Sequence, residues 1–273
     1  MVDRGTVAEV ERVVRDVAAR EILPRFGALS PADISEKAPG DFVTVADRRA
    51  EEALASTLTA ILPGSLVVGE EAVAHDSSLL RLLDGPAPVW IVDPIDGTHN
   101  FVADSSRFTT LVALAQGGEL IASWTYAPVL GTMAVATSGG GAFVDGQRVR
   151  VLAASGLTHL DVCLPQPKWW TPQMRTRFNA LSRRPIAMSF FDTSAFEYIE
   201  LASGRRGAMI ITWEHPWDHA AGLLLHAEAG GVALTRSGNP FRLSGGNDLP
   251  IVVAPDAATA ALLHSALDDA LNP

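Results

Sequence analysis

The feature that most constrains this chain is the stretch Val89–Thr98, whose sequence is VWIVDPIDGT. Its apolar start predicts a buried strand, and two carboxylates, Asp93 and Asp96, follow three residues apart. Pro94 lacks the N–H that a sheet ladder needs, so we predict that the strand ends there. Hard divalent cations prefer oxygen ligands, and free backbone N–H groups beside such an ion are able to hold a phosphate. By itself, however, an Asp-rich turn at a strand end is also common in proteins without any metal.

Length and composition bound the remaining possibilities. The 273 residues are 48% hydrophobic, enough for the core of one large domain or of two packed ones. A net charge of −10 argues against a nucleic-acid-binding face or an anionic membrane partner, whereas bound Mg²⁺ would still attract a small phosphorylated substrate. The single cysteine, Cys163, predicts a buried apolar side chain and no intrachain disulfide. The sequence shows neither a signal-peptide core nor an apolar run of about 18 residues, so we expect a cytoplasmic protein without a membrane span.

The first part of the chain has the pattern of an α+β unit. Helical spacing of apolar residues predicts helices over 6–22 and 47–61, separated by a polar loop over 30–41. A polar connection over 74–88 leads to the acidic turn. Strand-like runs cover 42–44, 66–68, 108–115, 119–126, 131–137 and 142–151. The last four are punctuated by glycine and proline and predict an antiparallel meander.

The second part alternates between strand-like and helical patterns. Such alternation predicts an α/β unit with a largely parallel sheet. The predicted strands are 159–164, 186–191, 207–212, 232–235 and 250–254. The predicted helices are 171–182, 194–203, 217–229 and 256–271. A soft boundary near 153–157 divides the chain into residues 1–154 and 155–273.

Further charged residues stand at the ends of predicted elements. Asp47 lies in a first helical turn, where a carboxylate favours the helix dipole, and Asp218 lies where a capping residue is common. Glu70 and Glu71 follow a strand, and either surface exposure or a metal ion would relieve their repulsion. Lys37, within the polar loop, is predicted to be a solvated charge.

Two histidines, His215 and His219, are four residues apart, a spacing that resembles a zinc site. No HExxH motif accompanies them, and oxygen-bearing side chains dominate the candidate site. We therefore argue against zinc.

Four segments together resemble the inositol monophosphatase family of Mg²⁺-dependent, lithium-sensitive phosphatases. They are KAPGDFVT (37–44) with Asp47, Gly69-Glu70-Glu71, Trp90–Thr98 with Asn100-Phe101, and Trp217-Asp218 through Glu228-Ala229-Gly230-Gly231. The resemblance implies a layered αβαβα sandwich of the sugar-phosphatase type, an α+β half followed by an α/β half. Residues 1–154 would form the metal-binding half with the antiparallel sheet, and residues 155–273 would complete the active site. A homodimer is also expected from the resemblance.

The resemblance also implies a role for each motif residue. The ligands of a first Mg²⁺ would be Glu70, Asp93 and the Ile95 carbonyl, and those of a second would be Asp93, Asp96 and Asp218. Glu70 would also face a weaker third ion and is counted among the catalytic residues. Asp47 and Thr98 would orient and deprotonate the attacking water, while the Gly97 and Thr98 amides would hold the phosphate. The substrate contacts expected are Asp96, Thr193, Ser194, Ala195, Glu214 and Asp218.

The alcohol pocket departs from the family pattern. Ile211 stands where many inositol-cleaving members carry a glutamate, and the segment 192–195 lacks the usual glycine. Trp213 offers an apolar wall and Glu214 an acceptor, so we expect inositol 1-phosphate to be a poor substrate. The preferred ester would carry an apolar, aromatic or cationic portion. Alternatively, Ile211 and Trp213 pack in the core and another loop recognises inositol.

Other functions remain open at this point. The same chemistry would serve a phosphatase for histidinol phosphate, fructose bisphosphate or a nucleotide 3′-phosphate. A more remote alternative is a metal-binding scaffold without catalysis, against which the intact acidic set argues.

Overall fold

The computed structural model describes residues 2–153, 157 and 160–269. The expected boundary near 153–157 therefore lies mostly outside the described residues. The helices are α1 (Arg4–Val17), α2 (Val45–Ile61), α3 (Glu70–His75), α4 (Thr98–Val102), α5 (Pro172–Leu181), α6 (Ser194–Ala202), α7 (Pro216–Glu228) and α8 (Ala257–Asp268). The strands are β1 (Ile34–Ala38), β2 (Asp41–Thr44), β3 (Leu66–Gly69), β4 (Pro88–Asp96), β5 (Thr109–Gln116), β6 (Glu119–Ala127), β7 (Thr132–Thr137), β8 (Gly141–Val144), β9 (Gln147–Arg148), β10 (Asp161–Pro165), β11 (Ala187–Phe191), β12 (Ala208–Ile211), β13 (Val232–Thr235) and β14 (Ile251–Ala254).

The first sheet has seven strands in the order β3-β4-β5-β6-β7-β8-β9. Strands β3 and β4 are parallel, and the remaining neighbours are antiparallel, which confirms the predicted meander. The apolar stripes of α1 and α2 pack on one face of this sheet, where Val14 and Leu54 meet Trp90 and Trp124 in one cluster. Burial of these large side chains is what holds the two helices on the sheet.

The second sheet has five strands in the order β11-β10-β12-β14-β13. Strand β10 is parallel to both β11 and β12, as predicted, whereas β14 is antiparallel to both of its neighbours. The expectation of a largely parallel sheet is therefore wrong for β14. The connection from β13 to β14 contains no α-helix, and an antiparallel neighbour needs no crossover helix.

Helices α6 and α7 lie between the two sheets. In α7, Leu224 and Leu225 pack against β7, while Leu223 joins Tyr198 of α6 against the second sheet. Gly222 permits this close approach, because a Cβ there would lie 2.1 Å from the Tyr198 ring. Helices α5 and α8 cover the far face of the second sheet. The result is five layers, which confirms the expected αβαβα sandwich.

Some predicted segments differ from the structure. The loop over 30–41 contains β1, which pairs with β2 as an antiparallel hairpin around Gly40, whose φ is +80°. The connection over 74–88 contains a 3₁₀ helix at Ser77–Asp84, and the strand expected at 142–151 is split into β8 and β9. Helix α1 continues as a π-helical turn over Ala18–Ile22.

Pro94 does not end its strand, contrary to the prediction. Strand β4 continues to Asp96, and its register with β5 shifts between Asp93 and Asp96. A proline is tolerated at such an irregularity, because the ladder does not require its missing N–H there. Its carbonyl still accepts a 2.9 Å hydrogen bond from the Thr110 hydroxyl. The two carboxylates thus sit on either side of a bulge within the sheet.

In the described part of the chain, none of the helices combines the length and apolar character that crossing a membrane requires.

Candidate active site

A cavity of about 420 Å³ lies where the end of β4 meets the first turns of several helices. The acidic residues that line it include Glu70, Asp93, Asp96 and Asp218. These come from the start of α3, the end of β4 and the start of α7, so residues far apart in sequence converge here. The structure therefore brings together the four acidic side chains that were expected to bind metal.

Asp93 and Asp96 lie on the acidic wall at the end of β4. Asp93 is only 2% exposed, and its Oδ1 has no hydrogen-bond partner among the described residues. Burial, followed by the charges of Glu70 and Asp96, raises the Asp93 pKa well above its ordinary value. Burial and the neighbouring Asp218 likewise raise the pKa of Asp96 to about 7. A cation at this wall would relieve the repulsion between these carboxylates.

The turn after Asp96 is built by Gly97 and Thr98, which both line the cavity. Gly97 has a φ of +89° and precedes the first residue of α4. A Cβ at this position would lie 2.5 Å from Cγ2 of Thr193. Glycine is thus required both by the left-handed backbone and by the close packing of the α6 segment.

Asp47 lies directly behind Thr98. It is the third residue of α2 and accepts hydrogen bonds from the Thr44 amide at 2.8 Å and the Thr44 hydroxyl at 2.6 Å. The Thr98 hydroxyl lies 3.2 Å from the other carboxylate oxygen and 3.0 Å from the Ile95 carbonyl. Burial raises the Asp47 pKa to about 6. Asp47 therefore lies in the first turn of α2, where the simpler interpretation placed it beside the helix dipole, completes a capping box with Thr44, and also contacts the turn that lines the cavity.

Lys37 is not a solvated charge, contrary to the prediction. Its ammonium lies 2.5 Å from Glu70 and 3.0 Å from Glu71. Burial alone would lower the Lys37 pKa, but the two carboxylates raise it well above its ordinary value. Burial raises the pKa of Glu70 to about 8, with Lys37 acting in the opposite direction. The hairpin β1–β2 thus carries a cation into the acidic wall.

Glu51 is a residue of the site region that the sequence interpretation missed. Its carboxylate accepts hydrogen bonds from the amides of Glu71 at 2.8 Å and Ala72 at 2.9 Å, so it caps α3. Gly69 leaves room for it, since a Cβ there would lie 2.3 Å from the Glu51 carboxyl carbon. A glutamate within an ordinary amphipathic helix gives no signal of such a contact.

At the start of α7, Asp218 is held by neighbouring side chains. Trp213 Nε1 donates to Asp218 Oδ2 at 2.5 Å, and His215 Nδ1 lies 3.6 Å from the same oxygen. The nearby Asp218 carboxylate raises the His215 pKa. His219, by contrast, is fully buried against Trp213 and Tyr198, and burial lowers its pKa to about 4. The two histidines therefore occupy different environments.

The start of α6 closes the cavity beside Asp96. Thr193 and Ser194 line it, and the Ser194 hydroxyl donates to the Asp218 carbonyl at 3.0 Å. The Ala195 amide lies 3.3 Å from Asp96 Oδ2. All three residues of the expected substrate segment are therefore adjacent to the acidic wall, although Ala195 reaches it only through its backbone.

Two expectations for the alcohol pocket need correction. Glu214 does not line the cavity; its carboxylate accepts from the Asn247 amide at 2.7 Å and from the Asn247 side chain at 2.9 Å. Burial tends to raise the Glu214 pKa, but the Asn247 donors prevail and lower it. Ile211 is fully buried and packs in the core of the second sheet, as the alternative proposed, whereas Trp213 does line the cavity.

The donor set fits a hard divalent cation. All acidic groups of the wall offer oxygen atoms, and the buried Oδ1 of Asp93 accepts no hydrogen bond from any residue that the structure describes. Within the described residues, no three acidic, histidine or cysteine side chains already surround one point as metal ligands would. Lys37 and Trp213 hold Glu70 and Asp218 instead.

Comparison with known proteins places this geometry in context. The sequence model of the inositol monophosphatase family matches residues 3–271. An inositol monophosphatase of Dictyostelium discoideum is 34% identical over 231 residues, covering 83% of this chain and 83% of the relative. A fructose-1,6-bisphosphatase/inositol-1-monophosphatase of Aquifex aeolicus is 30% identical over 245 residues, covering 86% of this chain and 88% of the relative. The solved structure of a Thermotoga maritima IMPase shares the fold, with a TM-score of 0.79, 23% identity and 97% coverage of both chains.

Proposed function

Since this chain belongs to the inositol monophosphatase family and is a phosphoric monoester hydrolase acting on small phosphorylated substrates, we propose that it uses Mg²⁺. The family is metal-dependent, and the all-oxygen donor set supports Mg²⁺ as the ion. The observation that carries the proposal is the convergence of four carboxylates beside the Thr98–Asp47 pair.

The proposed ligands follow the expected division. Glu70, Asp93 and the Ile95 carbonyl would hold one ion, Asp93 would share a second with Asp96 and Asp218, and Glu70 would face a third. When bound, two such ions lower the pKa of a water and stabilise the entering and leaving oxygens of an in-line displacement. Support comes from the position of all five groups on the cavity wall.

The chain's own residues would handle the water and the phosphate. The Thr98 hydroxyl would orient the water and Asp47 would receive its proton; a carboxyl with a pKa of about 6 is ionised at pH 7 and well matched to this task. The amides of Gly97 and Thr98 would hold phosphate oxygens at the turn that lines the cavity. Thr193, Ser194 and the Ala195 segment would contact the rest of the substrate.

Both halves of the chain would contribute to this site. We propose residues 1–154 as the metal-binding half and residues 155–273 as the half that completes it. Asp47, Glu70, Asp93 and Asp96 belong to the first, and Asp218 belongs to the second. We further propose that the protein is a cytoplasmic homodimer and that lithium inhibits it. Light scattering tests the dimer, and titration of the activity with lithium tests the inhibition.

A phosphomonoester is favoured over a bisphosphate as substrate. The name of the Aquifex relative includes fructose-1,6-bisphosphatase. However, no lysine or arginine is found among the described residues that line the cavity, and nearby Lys37 is already paired with Glu70 and Glu71, so the wall offers a second phosphate no guanidinium or ammonium group of its own. Inositol 1-phosphate is the first test substrate, because the Dictyostelium relative is named an inositol monophosphatase.

The central experiment measures phosphate release from inositol 1-phosphate, glycerol 2-phosphate and an aryl phosphate. Activity should require Mg²⁺, disappear in excess chelator and return when Mg²⁺ is restored. Ca²⁺ should inhibit, because its longer and looser coordination fits such a site poorly. Full activity in excess chelator would overturn the proposed metal dependence, and no activity with any ester would favour the scaffold alternative.

A further inference from the structure

Trp169, which belongs to none of the family motifs, stands in the wall of the cavity. Trp169 ends a short 3₁₀ turn, Pro167–Trp169, just after β10. Trp169 is 48% exposed although it lines the cavity. A large flat apolar surface left open inside a binding cavity is a place where a ligand ring gains contact area.

Two side chains lie against the Trp169 ring. The Lys168 ammonium lies over one face of the indole, 4.5 Å from the ring centre, which leaves the opposite face for a ligand ring. The His99 ring stands edge-on to it, with 5.8 Å between ring centres and an interplanar angle of 85°. His99 also lines the cavity, and its Nε2 is buried without a hydrogen-bond partner among the described residues. The flat surface of Trp169 thus lies beside a second ring of the cavity wall.

The rest of this wall is also more apolar than a polyol would require. Pro165, Met174 and Trp213 line the same cavity. Ile211, which stands in place of a hydroxyl-binding acid, is buried in the core and leaves no acceptor at that position. A polyol hydroxyl would therefore lose hydration at this wall without regaining all of its hydrogen bonds.

We propose that the ester cleaved here carries a flat aromatic or heteroaromatic ring on its alcohol side, and that this ring stacks on Trp169 beside His99. The inference rests on the proposed phosphatase function and names the substrate class of the same site. Trp169 would thereby determine specificity without taking part in the chemical step.

The test compares benzyl phosphate with cyclohexylmethyl phosphate. Both leave as a primary alcohol of similar size, so they differ mainly in the flatness and π character of the ring. We expect kcat/KM to favour benzyl phosphate by about three- to tenfold, the range that aromatic stacking provides. The ratio of the two values does not depend on the fraction of enzyme that is folded, so a partly destabilised variant still gives an answer.

Two variants locate the effect at Trp169. W169L should reduce the ratio of the kcat/KM values for benzyl and cyclohexylmethyl phosphate to about one. W169F should keep at least half of the logarithm of the wild-type ratio. F190L serves as the matched control, because Phe190 is an exposed aromatic side chain (44%) that does not line the cavity, and its ratio should stay at the wild-type value.

The outcomes separate the inference from the function on which it rests. Equal kcat/KM values for the two esters in the wild type, or an unchanged ratio in W169L, would overturn the role of Trp169 while leaving the phosphatase function intact. The enzyme with Mg²⁺ is also assayed on inositol 1-phosphate and glycerol 2-phosphate. If it hydrolyses neither of these nor either ring ester, the proposed function is overturned, and the inference with it.

Discussion

At Thr98 the side chain and the backbone have separate proposed tasks. The hydroxyl, 3.2 Å from Asp47, would orient the attacking water, whereas the backbone amide would bind phosphate. We therefore expect Thr98→Ala to lower kcat at least about 100-fold and to change KM only slightly, because the hydroxyl acts mainly in the transition state. Steady-state kinetics decide this, with Thr98→Ser as the control that keeps a hydroxyl. A large rise in KM at normal kcat would show instead that the hydroxyl only holds substrate.

Asp93 and Asp218 allow a second comparison at the scale of single residues. Asp93 is buried, and one of its oxygens has no hydrogen-bond partner in the described part of the chain. It would contact both ions, whereas Asp218 would contact one and already accepts from Trp213. Asp93→Asn should therefore lower turnover more than Asp218→Asn does. The Asp93 substitution alone should cost at least about 3 kcal/mol of transition-state stabilisation. Turnover of both variants at saturating Mg²⁺ measures the difference. A nearly active Asp93→Asn enzyme would refute the shared-ligand assignment.

At the scale of elements, α3 depends on a carboxylate from another helix. Glu51 caps its first amides, and α3 in turn places Glu70 on the cavity wall. We expect Glu51→Ala to lower the free energy of unfolding by about 1–2 kcal/mol and to weaken Mg²⁺ binding. Urea denaturation and calorimetric Mg²⁺ titration measure the two effects. Glu52→Ala is the matched control, because Glu52 is exposed on the same helix and should change neither value.

At the scale of the whole molecule, several buried carboxyl groups lie close together where the layers meet. Burial raises the pKa of Asp47 to about 6, of Asp96 to about 7 and of Glu70 to about 8. In the unfolded chain these acids titrate near pH 4, so the folded state binds their protons more tightly. The resulting stabilisation is complete at low pH and is lost as the pH rises from about 4 to about 8.

This titration predicts how the metal affects stability. In chelator, the Tm should fall between pH 5 and pH 8, and saturating Mg²⁺ should raise it more at pH 8 than at pH 5, because more carboxylates are then ionised. Thermal denaturation with and without Mg²⁺ at both pH values measures how much larger the Mg²⁺-induced rise in Tm is at pH 8. Asp96→Asn removes one titrating group and should make this pH difference smaller. An equal Mg²⁺ shift at both pH values would contradict the expectation.

Local patterns were sufficient to predict most of the elements and the acidic wall. The apolar run and acidic turn around Asp93 and Asp96, the first helical turns that hold Asp47 and Asp218, and the antiparallel meander all depend on periodicity and on chemistry within a few residues. Together with the family motifs, these patterns also led to the five-layer order. They could not show that Pro94 lies within β4, because a bulge depends on the partner strand β5.

Contacts between distant residues were decided only by the tertiary structure. Lys37 meets Glu70 from a separate hairpin, and Glu51 caps α3 from a neighbouring helix. Glu214 turns to Asn247 rather than to the cavity, while Trp169 enters the cavity wall from the loop after β10. Neither composition nor spacing distinguishes these side chains from ordinary surface residues. Their roles depend on which loop ends the packed layers bring together, because a charge or a ring has no partner until the sheets and helices have assembled around it.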